Sequence, residues 1–493
     1  MNILGISAGF HDAALSVVSS TGDILFAGHS ERYSKSKHDS YIHSKLIDDV
    51  RAFDIQSIAY YEQPWRKQLR RLRSGEKLQW DSLTVNQCIE RELGNYRSLP
   101  VSSYDHHLSH AAAGFQTSSF DRATVVVIDA IGESDTISIY SAEYDSQGKA
   151  HYKKLWGQKY PHSIGLFYSA MTKQCDLVPM EEEYILMGMA AWGDASRWET
   201  MSAQVVRDYS QAVFKDNYHI GMPDCGIWTE LSREDNAACA QQVLEQLVYN
   251  VMKKARDLTN DCKNLVYMGG VALNCLANRR LGEYFENIWI MPNPGDAGSS
   301  LGAAALQYRG RLNWVNAYLG HNIPGPYPVA SLLDSLLSDG ICGVASGRAE
   351  FGPRALGNRS LLADPRGADI KDRVNEIKRR QKFRPFAPVI LEEMADQYFD
   401  LSPGWSNSRY MQSVARCRLP DRFPAICHVD GTSRVQTVPS DGSGIRQLLE
   451  AWYARTGCPM LLNTSLNIRG EPMVNDRADA DRFENLYKVK VLS

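Results

Sequence analysis

No run of the 493 residues is apolar over the roughly 18–20 positions that a membrane-crossing helix needs, so no membrane span is expected. The opening MNILGISAGF has neither a basic start nor a long apolar core, and no signal peptide is expected there. Ten cysteines are scattered from Cys88 to Cys458, and none forms C-x-x-C. That spacing points to reduced, mostly buried thiols in a cytoplasmic protein, not to a disulfide framework or a cysteine zinc site. Charge of one sign is also missing. Lys plus Arg is 54, Asp plus Glu is 57, and the net charge is −3, so contact with nucleic acid would need a local patch. There is no low-complexity tract, no G-x-x-x-x-G-K-[ST], no clean G-x-G-x-x-G and no H-E-x-x-H. These absences argue against a Walker ATPase, a Rossmann dehydrogenase and a zinc protease of that type.

What is present is globular composition, with 44% hydrophobic and 23% charged residues and with 36 glycines and 20 prolines. The first third reads as strands followed by helices. Met1–Ser7, Ala13–Val18 and Gly22–Gly28 are three short expected strands, with a helix over Ile42–Ala52 and a strand over Ile55–Tyr61. The order returns with strands over Thr124–Asp129, Thr136–Tyr140 and Tyr152–Gln158 and a helix near Gly165–Lys173. Three strands then a helix, twice, predicts an internally duplicated α/β domain. An amphipathic helix over Val243–Leu258 leads to a strand at Asn264–Met268 and a helix from about Leu273. A strand at Asn287–Met291 and a helix from about Ser299 follow. The Pro- and Gly-rich Leu319–Pro328 marks an expected boundary between domains at 1–318 and 329–493. The second domain is also mixed α/β, with strands around Ile341–Ala345, Phe386–Leu391 and Met460–Leu462.

Several constellations carry chemistry. In DHHLSHAAAGF, the small residues after His110 favour a helix, which puts His106 and His110 on one face. Two imidazoles at that spacing can hold one cation, and they can equally be packed or capping residues. Asp296, in PNPGDAGSSLGAAA, lies at a turn before a helix, where it can act as an N-cap. With His106 and His110 it would complete a two-His, one-carboxylate set suited to Fe(II), Mn(II) or Zn, with positions left for phosphate oxygens. Gly-rich or acidic turns follow strands at GISAGFHD, IDAIGE (with Asp129 at the strand end) and MGGVALN. Turns of this kind bind phosphates or metal-bound water. The C-terminal part concentrates Arg, Lys and small polar residues in GRAEFGPRALGNRSLLADPR, IKRRQKFRPFAP, TSRVQTV and LLNTSLNIRGEP. These suit phosphate and planar carboxylate-like groups.

Together these segments resemble the carbamoyltransferase family of antibiotic and Nod-factor biosynthesis, the NodU/CmcH type. The strings FHDAA, ERYSKSKHD, HHLSHAA, GGVALN, GDAGSSLGAA, EFGPRALGNRSLLADPR, FRPFAP and LLNTSLNIRGEP occur in family order over nearly the whole chain. The resemblance implies a duplicated actin/sugar-kinase-like N-terminal domain, similar to threonylcarbamoyl-transfer proteins, and a YrdC-like C-terminal domain. It implies that ATP and carbamoyl phosphate, with Mg, give carbamoyl-adenylate, and that the carbamoyl group then passes to an acceptor hydroxyl. Under it His11 is the base, Asp12 contacts the acceptor, and His106, His110 and Asp296 hold Fe(II), or Mn or Zn at the same place. Lys37, Asp129, Gly269, Gly270 and Asn274 fall at nucleotide-binding positions. Arg354, Lys378, Arg384, Arg434, Asn463 and Ser465 fall where carbamoyl phosphate and the adenylate are held.

Two departures from the family pattern stand out. EYILMGMA has Ile185 where the pattern has lysine, and the chain stops soon after GEPMV, where relatives carry another strand. The second domain is then expected to be trimmed or covered by a partner chain, as in a homodimer. For the acceptor, Arg66–Lys77 holds six basic residues and one acidic between Trp65 and Trp80. The resemblance implies acceptors that range from aminoglycosides, cephems, macrolides and Nod sugars to hydroxymethylated cytosine in nucleic acid; a basic helix flanked by aromatics favours the last, a 5-hydroxymethylpyrimidine in nucleic acid or nucleotide, with a polynucleotide presenting its base flipped or single-stranded. The alternatives are a solvated helix beside a small-molecule alcohol or sugar site, a non-catalytic ATP-binding scaffold, and a metal-dependent oxygenase.

Overall fold

The computed structural model describes residues 2–94, 98–367, 369–380, 384–405 and 407–493. Met1 of the first expected strand and residues 381–383, with Phe383 of FRPFAP, lie outside the described residues. The chain divides into two compact units. The first runs to Ser30 and resumes over His38–Val315. The second takes Glu31–Lys37 together with Asn316–Ser493.

The first unit contains β1 (Asn2–Ser7), β2 (Ala14–Val18), β3 (Ile24–His29), β4 (Ile55–Tyr60) and β5 (Val101–Ser103) in one sheet, ordered β3-β2-β1-β4-β5. A second sheet holds β6 (Arg122–Ile128), β7 (Asp135–Tyr144) and β8 (Ala150–Lys159). After a two-stranded ribbon of β9 (Val206–Asp208) and β10 (Val213–Phe214), it is completed by β11 (Asn264–Met268) and β12 (Asn287–Trp289), in the order β12-β11-β6-β7-β8. In each sheet three antiparallel strands are followed by two that join parallel to the first. The sheets therefore share one connectivity, and the duplication expected from the strand pattern is present.

The inner strands are apolar on both faces, as β1 (NILGIS) and β6 (RATVVVI) show, because helices cover both sides. The helix Ser299–Tyr308 packs against the helix His106–Phe115 at backbone distance. A Cβ added at Gly302 would lie 1.8 Å from the Ser109 carbonyl oxygen, so only glycine fits there. That contact brings the start of one helix beside the inward face of the other, which places the site.

The second unit is built on a six-stranded mixed sheet. Its chain begins with β13 (Tyr318–Ile323), β14 (Ile341–Ala345), β15 (Gly347–Glu350), β16 (Arg359–Ala363) and β17 (Ala387–Leu391). A small three-stranded sheet follows, of β18 (Phe399–Asp400), β19 (Ala415–Cys417) and β20 (Thr432–Ser433). The chain ends with β21 (Gln436–Val438), β22 (Met460–Ser465) and β23 (Val491–Leu492). The main order is β21-β17-β22-β16-β14-β23. Alternate side chains face opposite cores. Cys342, Val344, Leu362 and Leu461 meet Leu332, Leu336, Leu448 and Trp452 of two helices. Ile341, Leu361, Met460 and Leu462 meet Ile370, Val374 and Phe483 on the other face.

Several boundaries differ from the sequence reading. The long helix starts at Arg233, ten residues early, because Ser232 caps it by accepting from the Asp235 N–H at 3.0 Å. Gly270–Leu273 is a 3₁₀ turn, and the α-helix there begins at Cys275. The first half of Leu319–Pro328 is strand β13, which pairs with β15. The basic helix spans Pro64–Arg73 and stops before Gly75, whose φ is +75°. After GEPMV the helix Arg477–Tyr487 leads into β23, which pairs with β14 at the edge of the sheet.

Candidate active site

Four side chains of the first unit converge where its strands end. Asp129 follows β6, and Asp296 opens the turn before the helix Ser299–Tyr308. His106 and His110 stand one turn apart on a helix capped by Asp105, which accepts from the Leu108 N–H at 3.1 Å. The two Nε2 atoms are 3.1 Å apart. His106 Nε2 lies 3.2 Å from Asp129 Oδ2 and 3.4 Å from Asp296 Oδ1, and the corresponding distances from His110 Nε2 are 3.7 and 3.3 Å. All four residues are buried.

Two ring nitrogens and two carboxylate oxygens facing one point, out of water, call for positive charge at that point. A tetrahedron with edges of this length has its centre about 2 Å from each corner, the bond length of Zn or a similar ion to N and O donors. The residues therefore fit a divalent cation. Asp129, which the sequence reading placed among nucleotide contacts, stands with them as a fourth possible donor. Burial opposes charge on these groups. The hydrogen bonds from His106 and His110 nonetheless hold Asp129 well below the usual carboxylate range, and Asp296 holds His106 well above the usual imidazole range.

His11 lies on the β1–β2 loop, with Nε2 3.8 Å from Asp296 Oδ2. Its Nδ1 is 2.8 Å from Asp12 Oδ2, and Asp12 Oδ1 is 2.8 Å from His38 Nδ1. Both oxygens of Asp12, the expected acceptor contact, thus face imidazoles. Burial opposes the charged form of His11, but Asp296 and Asp12 outweigh it and raise the ring to about 9. The glycine pair behaves as its turn requires. Gly269 has φ +90°, and a Cβ on it would lie 2.2 Å from the Ile128 carbonyl oxygen, while the Gly270 N–H donates to Asp129 Oδ1 at 3.0 Å. Asn274 caps the helix Cys275–Asn278 and exchanges hydrogen bonds with Gln241, both at 3.0 Å. Ile185 is 2% exposed and belongs to the core.

Sequence reasoning missed Glu133, which accepts from the backbone N–H groups of Gln63 (2.7 Å) and His106 (3.1 Å). Burial, with Asp105 close by, pushes Glu133 up to about 7. It also missed Glu62, whose carboxylate pairs with Lys67 at 2.9 Å and lies 3.9 Å from His106 Nδ1. Neither residue belongs to a spacing that marks a ligand.

In the second unit, Lys378 Nζ donates to the Ser465 carbonyl at 2.6 Å and contacts Asn467 Oδ1. Burial first, then the charges of Arg380, Arg384 and Lys37, push Lys378 well below the usual lysine range. Lys37 therefore belongs to this cationic cluster. Its segment is held in the second unit by an Arg32 guanidinium bond to the Gly352 carbonyl at 2.8 Å and by the Lys35–Asp479 ion pair. Asn463 and Ser465 share one face of β22. Asn463 Nδ2 donates to the Ala355 carbonyl (3.1 Å) and to Gln436 Oε1 (2.8 Å), which places it beside the chain neighbours of Arg354 and close to Arg434. Asn463 Oδ1 and Arg434 Nε are buried without a hydrogen-bond partner among the described residues.

The basic segment is largely paired. Lys67 meets Glu62 at 2.9 Å, Arg66 meets Asp105 at 3.3 Å, and Arg70 and Arg71 meet Glu76 at 2.7 and 3.7 Å. Trp65 and Trp80 are 55% and 70% exposed. All ten cysteines are free, and no helix among the described residues is long and apolar enough to cross a membrane.

Residues 59–305 match the carbamoyltransferase N-terminus family, and residues 333–493 match the carbamoyltransferase C-terminus family. The chain is 32% identical to an uncharacterized Synechocystis protein, over 98% of this chain and 94% of that one. It is 32% identical to the nodulation protein NolNO of Sinorhizobium fredii, over 95% and 76% of the two chains. Nodulation protein U of Azorhizobium caulinodans is 36% identical, over 50% of this chain and 46% of its own. Among solved structures, a ROK-family glucokinase from Streptomyces griseus aligns with 62% of this chain and 99% of its own, at 14% identity and a TM-score of 0.31. The two family matches and the relatives spanning almost the whole chain establish that this protein belongs to the carbamoyltransferase family, of the NodU/NolO type.

Proposed function

We propose that the protein carbamoylates an acceptor hydroxyl in two stages, one in each unit. In the second unit, water cleaves carbamoyl phosphate to carbamate and phosphate. The carbamate oxygen then attacks the α-phosphorus of ATP, and the bond to pyrophosphate breaks. Lys378, Arg384 and Lys37 supply positive charge for the phosphates, and the unpaired Asn463 Oδ1 and Arg434 Nε offer polar contacts to the small substrate. In the first unit, the acceptor oxygen bonds to the carbamoyl carbon, the bond to AMP breaks with its electron pair, and the acceptor proton goes to His11 Nε2. His106, His110, Asp129 and Asp296 would hold Fe(II), Mn or Zn, and such an ion supplies positive charge for phosphate oxygens. The observation that carries this reading is the four-donor cluster with His11 Nε2 3.8 Å from one of its carboxylates.

Two observations bear on the acceptor. Exposed Trp65 and Trp80 favour stacking on a 5-hydroxymethylpyrimidine of single-stranded nucleic acid. The pairing of Arg66, Lys67, Arg70 and Arg71 with carboxylates leaves less charge for phosphates, which favours a small-molecule alcohol or sugar. The test combines ATP, carbamoyl phosphate, ferrous iron and single-stranded DNA containing 5-hydroxymethylcytosine, with AMP and digested nucleosides measured together. A nucleoside heavier by one carbamoyl group identifies the first acceptor class, and AMP without it directs the search to small alcohols. The absence of both products would refute the reaction and leave a non-catalytic scaffold.

A further inference from the structure

The sequence reading selected Lys37 from ERYSKSKHD and passed over His38. The structure gives His38 a definite place. Asp12 bridges two imidazoles, with Oδ2 2.8 Å from His11 Nδ1 and Oδ1 2.8 Å from His38 Nδ1. The backbone is held for this purpose. The Gly9 N–H donates to the Ser40 carbonyl at 2.8 Å, the Ala13 N–H donates to the Asp39 carbonyl at 2.7 Å, and Ser40 Oγ donates to the Phe10 carbonyl. The loop carrying His11 is thereby clamped to the segment carrying His38. Asp12 (φ +55°) and His38 (φ +53°) both take the left-handed region. Non-glycine residues there cost on the order of 1 kcal/mol or more, and they persist where the surroundings fix them.

We propose that His38 is a positioning residue for carbamoyl transfer: by donating from Nδ1 to Asp12, it fixes that carboxylate so that Asp12 holds the proton of His11 on Nδ1 and leaves Nε2 with the free lone pair. The proposal rests on the reading of His11 as the base. Its chemistry is that of any imidazole whose tautomer is set by the hydrogen bond at its other nitrogen. A carboxylate with one oxygen unclaimed rotates. One held at both oxygens cannot turn without losing a bond, so the direction of the His11 ring follows from His38. His11 Nε2 then faces the side of Asp296 Oδ2, 3.8 Å away, where the acceptor proton is to be taken.

The test reads the tautomer directly, by nitrogen-15 NMR of histidine-labelled protein at the alkaline end of the His11 titration, where the ring is neutral. The wild type is expected to carry the His11 proton on Nδ1. His38→Gly removes the donor while tolerating the left-handed backbone, and is expected to shift part of the population to the Nε2–H form. His38→Asn also tolerates that backbone and restores an N–H at the same reach, and is expected to return the Nδ1–H form. A wild-type His11 protonated on Nε2 would overturn the proposal without any variant. An unchanged tautomer in folded His38→Gly would overturn it as well. The underlying reading of His11 as the base fails separately, if His11→Ala transfers the carbamoyl group at the wild-type rate.

Discussion

Replacing Asp129 by asparagine removes one oxygen donor from the cluster and leaves its other contact in place. The Gly270 N–H donates to Asp129 Oδ1 at 3.0 Å, and asparagine keeps that acceptor. Its amide nitrogen then stands where Oδ2 was, 3.2 Å from His106 Nε2, and turns N–H groups toward the cation site. Rotating the amide would return an oxygen to the site but leave the Gly270 N–H against a donor, at a cost of about 1–3 kcal/mol. Partners one step removed from a metal are worth about 10–100-fold in affinity, so losing a direct donor costs at least about 100-fold. At a metal concentration 100 times the wild-type Kd, the wild type gains about 2.7 kcal/mol of stability and the variant only about 0.4. Thermal unfolding of chelator-treated protein with and without Zn(II) reads both increments, and comparing increments cancels any change in the metal-free protein. Calorimetric titration reads the affinity itself. Equal Zn(II) affinity in the two proteins, with ATP binding lost in the variant, would refute the ligand assignment and return Asp129 to the nucleotide.

Lys378→Met is expected to abolish carbamoyl-phosphate-dependent pyrophosphate release, and pyrophosphate is expected to raise the unfolding temperature of the wild type but not of the variant; an equal shift in both would remove Lys378 from the phosphate site. Gly269→Ala places a methyl group 2.2 Å from the Ile128 carbonyl oxygen at φ +90°, so the urea midpoint should fall by the equivalent of at least about 1–3 kcal/mol. An unmoved midpoint would contradict that. In the metal-free protein His11 is raised to about 9, so at pH 7 the ring keeps its proton and is no base. A cation that neutralises Asp296 removes the main charge holding the proton. Zn(II) should therefore lower the His11 titration in nitrogen-15 NMR, and an identical titration with and without metal would count against the account.

Strand order and duplication were legible because β-branched runs such as TVVVI and short polar turns repeat in both halves. His106, His110 and Asp296 were legible because two of them share a helical face and the third sits on a Gly-rich turn. The place of Asp129 beside them was not. A strand-end aspartate looks the same whether it faces a nucleotide or a cation, and only the folded chain brings Asp296 near the same imidazoles. Lys37 read as a contact of the first domain, yet the bonds of Arg32 and Lys35 carry its segment into the second unit. The pairing within the charge run Arg66–Lys77 was not legible either: the carboxylate partners Glu62 and Asp105 stand outside the run, so only folding shows it.

The division of labour between the units is tested most directly by mixing wild type and His11→Ala with ATP and carbon-14 carbamoyl phosphate, then quenching and counting pyrophosphate and labelled adenylate. The account predicts pyrophosphate from both proteins, with labelled carbamoyl-adenylate accumulating on His11→Ala. Loss of pyrophosphate from His11→Ala to the same extent as loss of transfer, or no pyrophosphate from the wild type, would contradict it.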